Sequence, residues 1–119
     1  MNKETSQNID KIHKQQRIDL AVAFRWTARL GMQEAIANHF SLAVSDDGSQ
    51  FLMNPYGRHF SKMRASDLIL IDANDPATAE RDDIDPTAWG IHGAMHRKNP
   101  PGALHYACPF KVCDRAGQP

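Results

Sequence analysis

The chain has 119 residues, of which 14 are Lys or Arg and 14 are Asp or Glu, so its formal net charge is +0. That balance supplies no basic field for nucleic acid. Hydrophobic residues at 41% and charged residues at 24% indicate a globular chain rather than a disordered one. No apolar run reaches the ~18 residues of a membrane-spanning helix, and the N-terminus has no apolar signal core. We therefore expect one cytoplasmic domain without a transmembrane segment or a nucleic-acid partner.

The first predicted element is a long helix. Residues 1–9 are polar and are predicted to be flexible. Asp10 is a suitable cap for a helix of roughly 20 residues, and Gly31 stands where a left-handed residue ends a helix. The apolar residues expected to form the buried stripe of this helix are Ile12, Ile18, Leu20, Val22, Phe24, Trp26 and Leu30.

A hairpin and a central strand are predicted next. Residues 40–44 alternate between apolar and small side chains, and residues 51–53 form the returning strand after a turn at Gly48. A short helical turn is expected at 61–65. The continuous apolar run at 68–71 predicts a central strand that is buried on both faces.

An acidic segment then leads into a second helix. Residues 72–86 show no periodicity and are predicted to be a solvated surface loop. Pro86 favours the start of a helix, on which His92 and His96 lie one turn apart. Gly93 stands where a helical zinc motif needs a Glu. We therefore expect these two imidazoles to be packed or hydrogen-bonded beside a sheet.

The C-terminal end carries weak signals. Residues 103–107 are predicted to form a short strand, and residues 108–119 an irregular tail, so the folded unit is expected to cover 10–107. Cys108 and Cys113 lack a second Cys or His pair that would complete a metal site, and we interpret them as incidental thiols.

Two polar turns are candidates for binding an anion. Asn38 and Ser41, in NHFS, lie between a helix and a strand and can offer side-chain and backbone donors. In NPYG, Gly57 allows the backbone to approach a ligand closely. Taken alone, each segment is more often an ordinary turn. The chain contains no glycine motif for a nucleotide phosphate or a nucleophile elbow.

Five segments in a fixed order resemble the N-terminal half of the class II aldolase/adducin family. They are RWTARLGM at 25–32, NHFS at 38–41, LMNPYG at 52–57, ASDLILID at 65–72 and IHGAMH at 91–96. The resemblance covers residues 17–96. It implies an α/β fold, a three-layer α-β-α domain around a mostly antiparallel sheet, which is incomplete in this chain.

The resemblance also implies a site and an assembly. Family enzymes hold a small phosphorylated substrate at positions that correspond here to Asn38, Ser41, Tyr56, Gly57 and Thr87. They use a divalent metal, usually zinc, to polarise the carbonyl or enediolate oxygens of the substrate. The family commonly assembles as a homotetramer, so the resemblance implies a homo-oligomer.

The chain departs from the family pattern at its catalytic positions. Ala88 stands where family enzymes carry an acid/base Glu, and a methyl group moves no proton. The family's H-x-H metal strand reads His105, Tyr106, Ala107, which leaves His105 as the one aligned ligand where catalytic zinc takes three. The register is lost after about His96, as expected of a truncated or frameshifted copy. An intact but diverged short paralogue is the alternative.

Two functions stay open at this point. The first is a family member without a complete catalytic site and without a bound metal, which resembles the adducin head domain in using the fold for self-association or for contact with the cytoskeleton. The alternative is a metal-dependent lyase of the aldolase type that acts on a small phosphorylated or hydroxy-acid carbonyl compound. Fold alone does not decide between them.

Overall fold

The computed structural model describes residues 12–33, 38–99 and the backbone of 104–107. The helices are α1 (Lys14–Arg29) and α2 (Pro86–Lys98), and the strands are β1 (His39–Ala43), β2 (Gln50–Met53), β3 (Ile69–Asp72) and β4 (Leu104–Ala107). Short 3-10 turns cover Phe60–Lys62, Ala65–Asp67 and Pro76–Glu80. The predicted flexible start at 1–9 and the predicted tail at 108–119 lie outside the described residues.

The four strands form one antiparallel sheet in the order β3-β2-β1-β4. Ser41 of β1 lies opposite Met53 of β2 on one side and opposite His105 of β4 on the other. Met53 in turn lies opposite Ile69 of β3. β1 and β2 are therefore the inner strands of the described sheet, and their side chains alternate between its two faces.

Helix α1 covers one face of the sheet. Phe24 of α1 packs on Phe40 and Phe60 with ring centroids 4.9 and 4.5 Å away, and the latter two rings are 5.3 Å apart. Arg17, which is 2% exposed, donates to the Leu68 carbonyl at 2.6 Å. The other buried residues of this core are Leu20, Ala21, Leu52, Met63 and Leu68. Aromatic packing and a buried backbone contact thus attach α1 to the sheet.

Helix α2 covers the opposite face. Ala88 packs with Phe51, Met53 and Ile71 of the strands, and Ala73 and Ile84 complete this second core. Gly93 faces Ala73 so closely that a Cβ on the glycine would lie 3.3 Å from the alanine Cβ. A sheet with one helix on each face is the predicted three-layer α-β-α arrangement, which is confirmed.

Helix α1 differs from its prediction in two respects. It begins at Lys14, after His13 adopts a left-handed backbone with φ 57°, and Asp10 lies outside the described residues. Its apolar residues lie on two faces, because Leu20 and Phe24 are buried whereas those at 18, 22, 26 and 30 are exposed. Apolar residues two positions apart cannot share one side of a 3.6-residue helix. The predicted end at Gly31, with φ 67°, is confirmed.

The segment around β3 was predicted less well. Strand β3 is an outer strand of the described sheet, and only Ile71 of its residues is fully buried. The prediction of a central strand buried on both faces is therefore wrong. The acidic segment also contains the turn Pro76–Glu80 and the buried Ile84, so it is not a purely solvated loop. A continuous apolar run marks partial burial on two faces but does not give the position of a strand in its sheet.

The β1–β2 hairpin forms as predicted. Gly48 has φ 73°, and the Asp47 carboxylate accepts hydrogen bonds from the Ser49 hydroxyl at 2.7 Å, the Ser49 amide at 2.9 Å and the Ser45 hydroxyl at 2.8 Å. These donors, those of Ser49 foremost, lower the pKa of Asp47 to about 2. The turn is thus held by an ionised carboxylate at neutral pH.

Candidate functional site

Three buried imidazoles lie between α2 and the sheet. His39 Nδ1 is 2.5 Å from His92 Nε2, His92 Nδ1 contacts the Ser41 hydroxyl, and that hydroxyl is 2.7 Å from His96 Nε2. We call His39, Ser41, His92 and His96 the imidazole layer. The prediction that His92 and His96 are hydrogen-bonded beside a sheet is confirmed. Each hydrogen bond in this series uses one proton, so the tautomers of the three imidazole rings depend on one another.

Burial sets the charge of the first ring in this layer. Desolvation lowers the pKa of His39, and the nearby Asp85 carboxylate opposes this effect only in part. The neutral imidazole is therefore favoured at neutral pH. Burial alone would raise the pKa of Asp85, but hydrogen bonds from Thr87 and the Ala88 amide outweigh it, so the pKa of Asp85 lies below its ordinary value.

The predicted anion-binding residues are placed in two groups. Asn38 and Tyr56 line one cavity of about 10 Å³, which has room for about one water molecule, together with Asn54, Asp85 and Ala88. Asn54 shapes this cavity, because its side-chain oxygen accepts from the Phe40 amide at 3.2 Å and its nitrogen donates to the Asn38 carbonyl at 3.4 Å. We call this cavity the Asn38 cleft.

Ser41 and Thr87 lie apart from the lining of the Asn38 cleft. The Ser41 hydroxyl bonds to the imidazole layer. Thr87 is exposed and donates through its hydroxyl to Asp85 at 2.6 Å. Asp85 is the N-cap of α2 and also accepts the Thr87 amide at 2.9 Å. Thr87 is therefore joined to the cleft through Asp85.

A second cleft, which we call the cationic cleft, shares Tyr56 with the Asn38 cleft. It measures about 690 Å³ and is lined by Gly57, Arg58, His59, Lys62 and Asp67. Gly57 has φ 85°, which places the loop backbone in a conformation that favours glycine. Arg58 pairs with Asp67 at 2.9 Å. Sequence reasoning missed the two cations here, although the position of Arg58 directly after the NPYG turn was an available signal.

The side chains that the structure describes do not fit a zinc centre. Among residues 12–33 and 38–99, no three His, Cys, Asp or Glu side chains are grouped so that they can hold a metal ion. The imidazoles of His92 and His96 bond to Ser41. The backbone of His105 pairs with Ser41, and its side chain lies outside the described part of the chain. The absence of bound zinc stays a prediction.

Ala88 lies at the head of α2 with no exposed surface, and it lines the Asn38 cleft. The position at which the resemblance implies an acid/base Glu therefore adjoins the predicted anion-binding residues. Neither α1 nor α2 is long and apolar enough to cross a lipid bilayer, within the residues that the structure describes.

Comparison with known proteins gives a consistent family. The model of the class II aldolase and adducin N-terminal domain matches residues 18–109. An adducin-related protein of Schizosaccharomyces pombe is 35% identical over 91 residues, which are 71% of this chain and 28% of that protein. The chain also matches putative aldolase class 2 proteins of Caulobacter vibrioides and Pseudomonas aeruginosa. It spans about a third of their length, 32% in each case.

Two solved structures share the fold. An aldolase II superfamily protein from Pseudomonas syringae is 30% identical, with a TM-score of 0.60 over 78% of this chain and 39% of that one. An L-fuculose 1-phosphate aldolase from Glaciozyma antarctica has a TM-score of 0.67 at 24% identity, over 87% of this chain and 44% of that one.

Proposed function

Because the chain belongs to the class II aldolase and adducin family, we propose that it binds a small anionic carbonyl compound without cleaving it. One observation carries the proposal: Asn38, Tyr56 and Ala88 line the same cleft. The first two residues offer hydrogen-bond donors to a ligand. The third puts a methyl group where an aldolase needs a proton donor.

The charges around the cleft indicate where the anion enters. Asp85 places a carboxylate on the α2 side of the Asn38 cleft, and its pKa lies below the ordinary value, so it repels an anion there. Arg58 and Lys62 line the cationic cleft, where Asp67 supplies one opposing carboxylate. The anionic group of the ligand is thus expected in the cationic cleft on the Gly57 side, because the Asn38 cleft of about 10 Å³ admits little more than one water molecule.

Calorimetric titration of the full chain with inorganic phosphate, dihydroxyacetone phosphate and pyruvate tests the binding. We compare Asn38→Asp with Asn74→Asp, because the same change of amide to carboxylate occurs there in an exposed residue outside the cleft. The first variant is expected to bind phosphate at least about tenfold more weakly, and the second within about twofold of the natural chain. Equal affinities for the two variants would refute the site.

Activity and metal content test the second half of the proposal. Aldol addition of dihydroxyacetone phosphate or pyruvate to a panel of small aldehydes is to be assayed, with and without a chelator, and zinc measured by elemental analysis after dialysis. We expect no turnover and no stoichiometric zinc. Turnover that a chelator abolishes, or one zinc per chain that is lost in His105→Ala, would overturn the proposal and establish the metal-dependent lyase.

The assembly and location form part of the same proposal. Family resemblance supports a homo-oligomer, with a tetramer as the expected size, in the cytoplasm. An exposed apolar surface on α1 also supports self-association. Mass determination by light scattering on the full chain tests the oligomer, and fractionation of the source cells tests the location.

A further inference from the structure

The outer face of α1 carries an apolar row that is exposed among the residues that the structure describes. Ile18, Val22, Trp26 and Leu30 follow one another at intervals of four residues and are 39, 47, 56 and 65% exposed. Side chains at this spacing share one face of a helix, and over 12 residues they extend about 18 Å at 1.5 Å per residue. We call these four residues the apolar stripe. A row of this kind marks a surface that another molecule covers.

Positive charge borders the apolar stripe. The Arg29 guanidinium lies 5.3 Å from the centre of the Trp26 ring. Arg25, Arg29 and His59 line a groove of about 480 Å³ beside Val22 and Trp26. The surface therefore suits a partner that offers apolar groups together with carboxylates.

This chain carries a surface of that composition. Residues 75–85 contain five carboxylates, at positions 75, 80, 82, 83 and 85, and one guanidinium, at 81. A second groove of about 410 Å³ lies along them. Its lining residues include the carboxylates of Glu80, Asp82 and Asp85, the guanidinium of Arg81, and Tyr56 and Pro86. We call this the acidic groove. Its charge is opposite to that of the groove on α1.

The two grooves of one molecule cannot meet. The apolar stripe lies on the outer side of α1, which packs on one face of the sheet through Phe24. The acidic groove belongs to the segment that packs on the other face through Ile84. Contact between them therefore requires a second copy of the chain.

We propose that the apolar stripe of one copy docks in the acidic groove of the next, so that the chains associate head to tail. This proposal gives an interface to the self-association proposed above and does not depend on anion binding. Each contact uses the apolar stripe of one copy and the acidic groove of the next, so a pair of copies still has one stripe and one groove unoccupied. Further copies bind there, and the result is a ring or an open chain rather than a two-fold dimer.

Charge exchange between two variants tests the interface. Arg29→Glu places a carboxylate beside the stripe, and Asp82→Lys places an ammonium group in the acidic groove. Alone, each variant brings like charges together, so self-association is expected to weaken at least about tenfold in sedimentation equilibrium. In an equimolar mixture every contact between unlike copies pairs opposite charges, and the affinity is expected to return to within about threefold of that of the natural chain.

The control is Lys98→Glu, which makes the same charge change as Arg29→Glu at an exposed residue outside both grooves. It is expected to associate like the natural chain, and circular dichroism of all variants checks the fold. Three results would overturn the proposal. The natural chain could be monomeric, the mixture could associate no more tightly than either variant alone, or Arg29→Glu could weaken association while Asp82→Lys does not. Arg29→Glu is expected to retain phosphate binding, because Arg29 lies outside the Asn38 cleft and the cationic cleft, and this separates loss of association from failure of the anion site.

Discussion

Replacing Gly48 with Ala tests how tightly the hairpin packs on α2. Gly48 has φ 73°, and a Cβ added there would lie 2.7 Å from the carbonyl carbon of His96 and closer still to its oxygen. A left-handed alanine costs about 1–2 kcal/mol. Crowding against a backbone atom that cannot rotate away adds about 1–3 kcal/mol. The variant is therefore expected to lose roughly 2–5 kcal/mol of unfolding free energy.

Gly31→Ala is the matched control. Its φ is 67°, but nothing lies within 4 Å of the added Cβ, so only the backbone term applies. Urea unfolding followed by circular dichroism should give a loss of about 1–2 kcal/mol for Gly31→Ala and a clearly larger loss for Gly48→Ala. If the two variants unfold at the same urea concentration, the close approach of the hairpin to the last turn of α2 is incorrect.

Three further outcomes are expected. Arg17→Met should lower the unfolding free energy by about 2–3 kcal/mol, because it leaves the buried Leu68 carbonyl without its charged donor. In the same urea assay, Gln15→Ala, at an exposed position, should change the unfolding free energy by less than about 0.5 kcal/mol. Phe24→Ala should cost about 3–5 kcal/mol through the cavity it creates, and Trp26→Ala, which is half exposed, less than about 1 kcal/mol. The carboxyl of Asp47 should titrate by NMR at about 2; since its pKa is lowered on folding from 3.8, its contribution to stability is complete above pH 3.8 and is lost as the pH falls towards 2. A carboxyl that titrates near 3.8 would contradict the hydrogen bonds of the turn.

Local signals predicted most of the fold. Gly31 and Gly48 mark the end of α1 and the hairpin turn, and both adopt the positive φ that their positions require. Pro86 starts α2 as predicted. These features depend on a few neighbouring residues, so they can be derived without knowledge of what packs on them.

Features that depend on distant parts of the chain were harder to predict. The apolar run of β3 does not reveal that the strand lies at the edge of the described sheet, because strand order depends on the partners. Ser41 was predicted to bind an anion, yet its hydroxyl meets imidazoles more than 50 residues away, on α2. Asn38 and Tyr56 were linked through family resemblance, and the cavity they share shows that they are neighbours. Whether they bind an anion stays a prediction.

The order of the strands also has a consequence for synthesis of the chain. β1, β2 and β3 pair with their neighbours in sequence, whereas Ser41 of β1 pairs with His105 of β4. Contacts between distant residues form slowly, since a long loop must close first. While the ribosome is still making residues up to 107, one edge of β1 therefore lacks its strand. An open strand edge invites pairing with other chains, so the nascent protein is most prone to aggregate in the interval before β4 emerges.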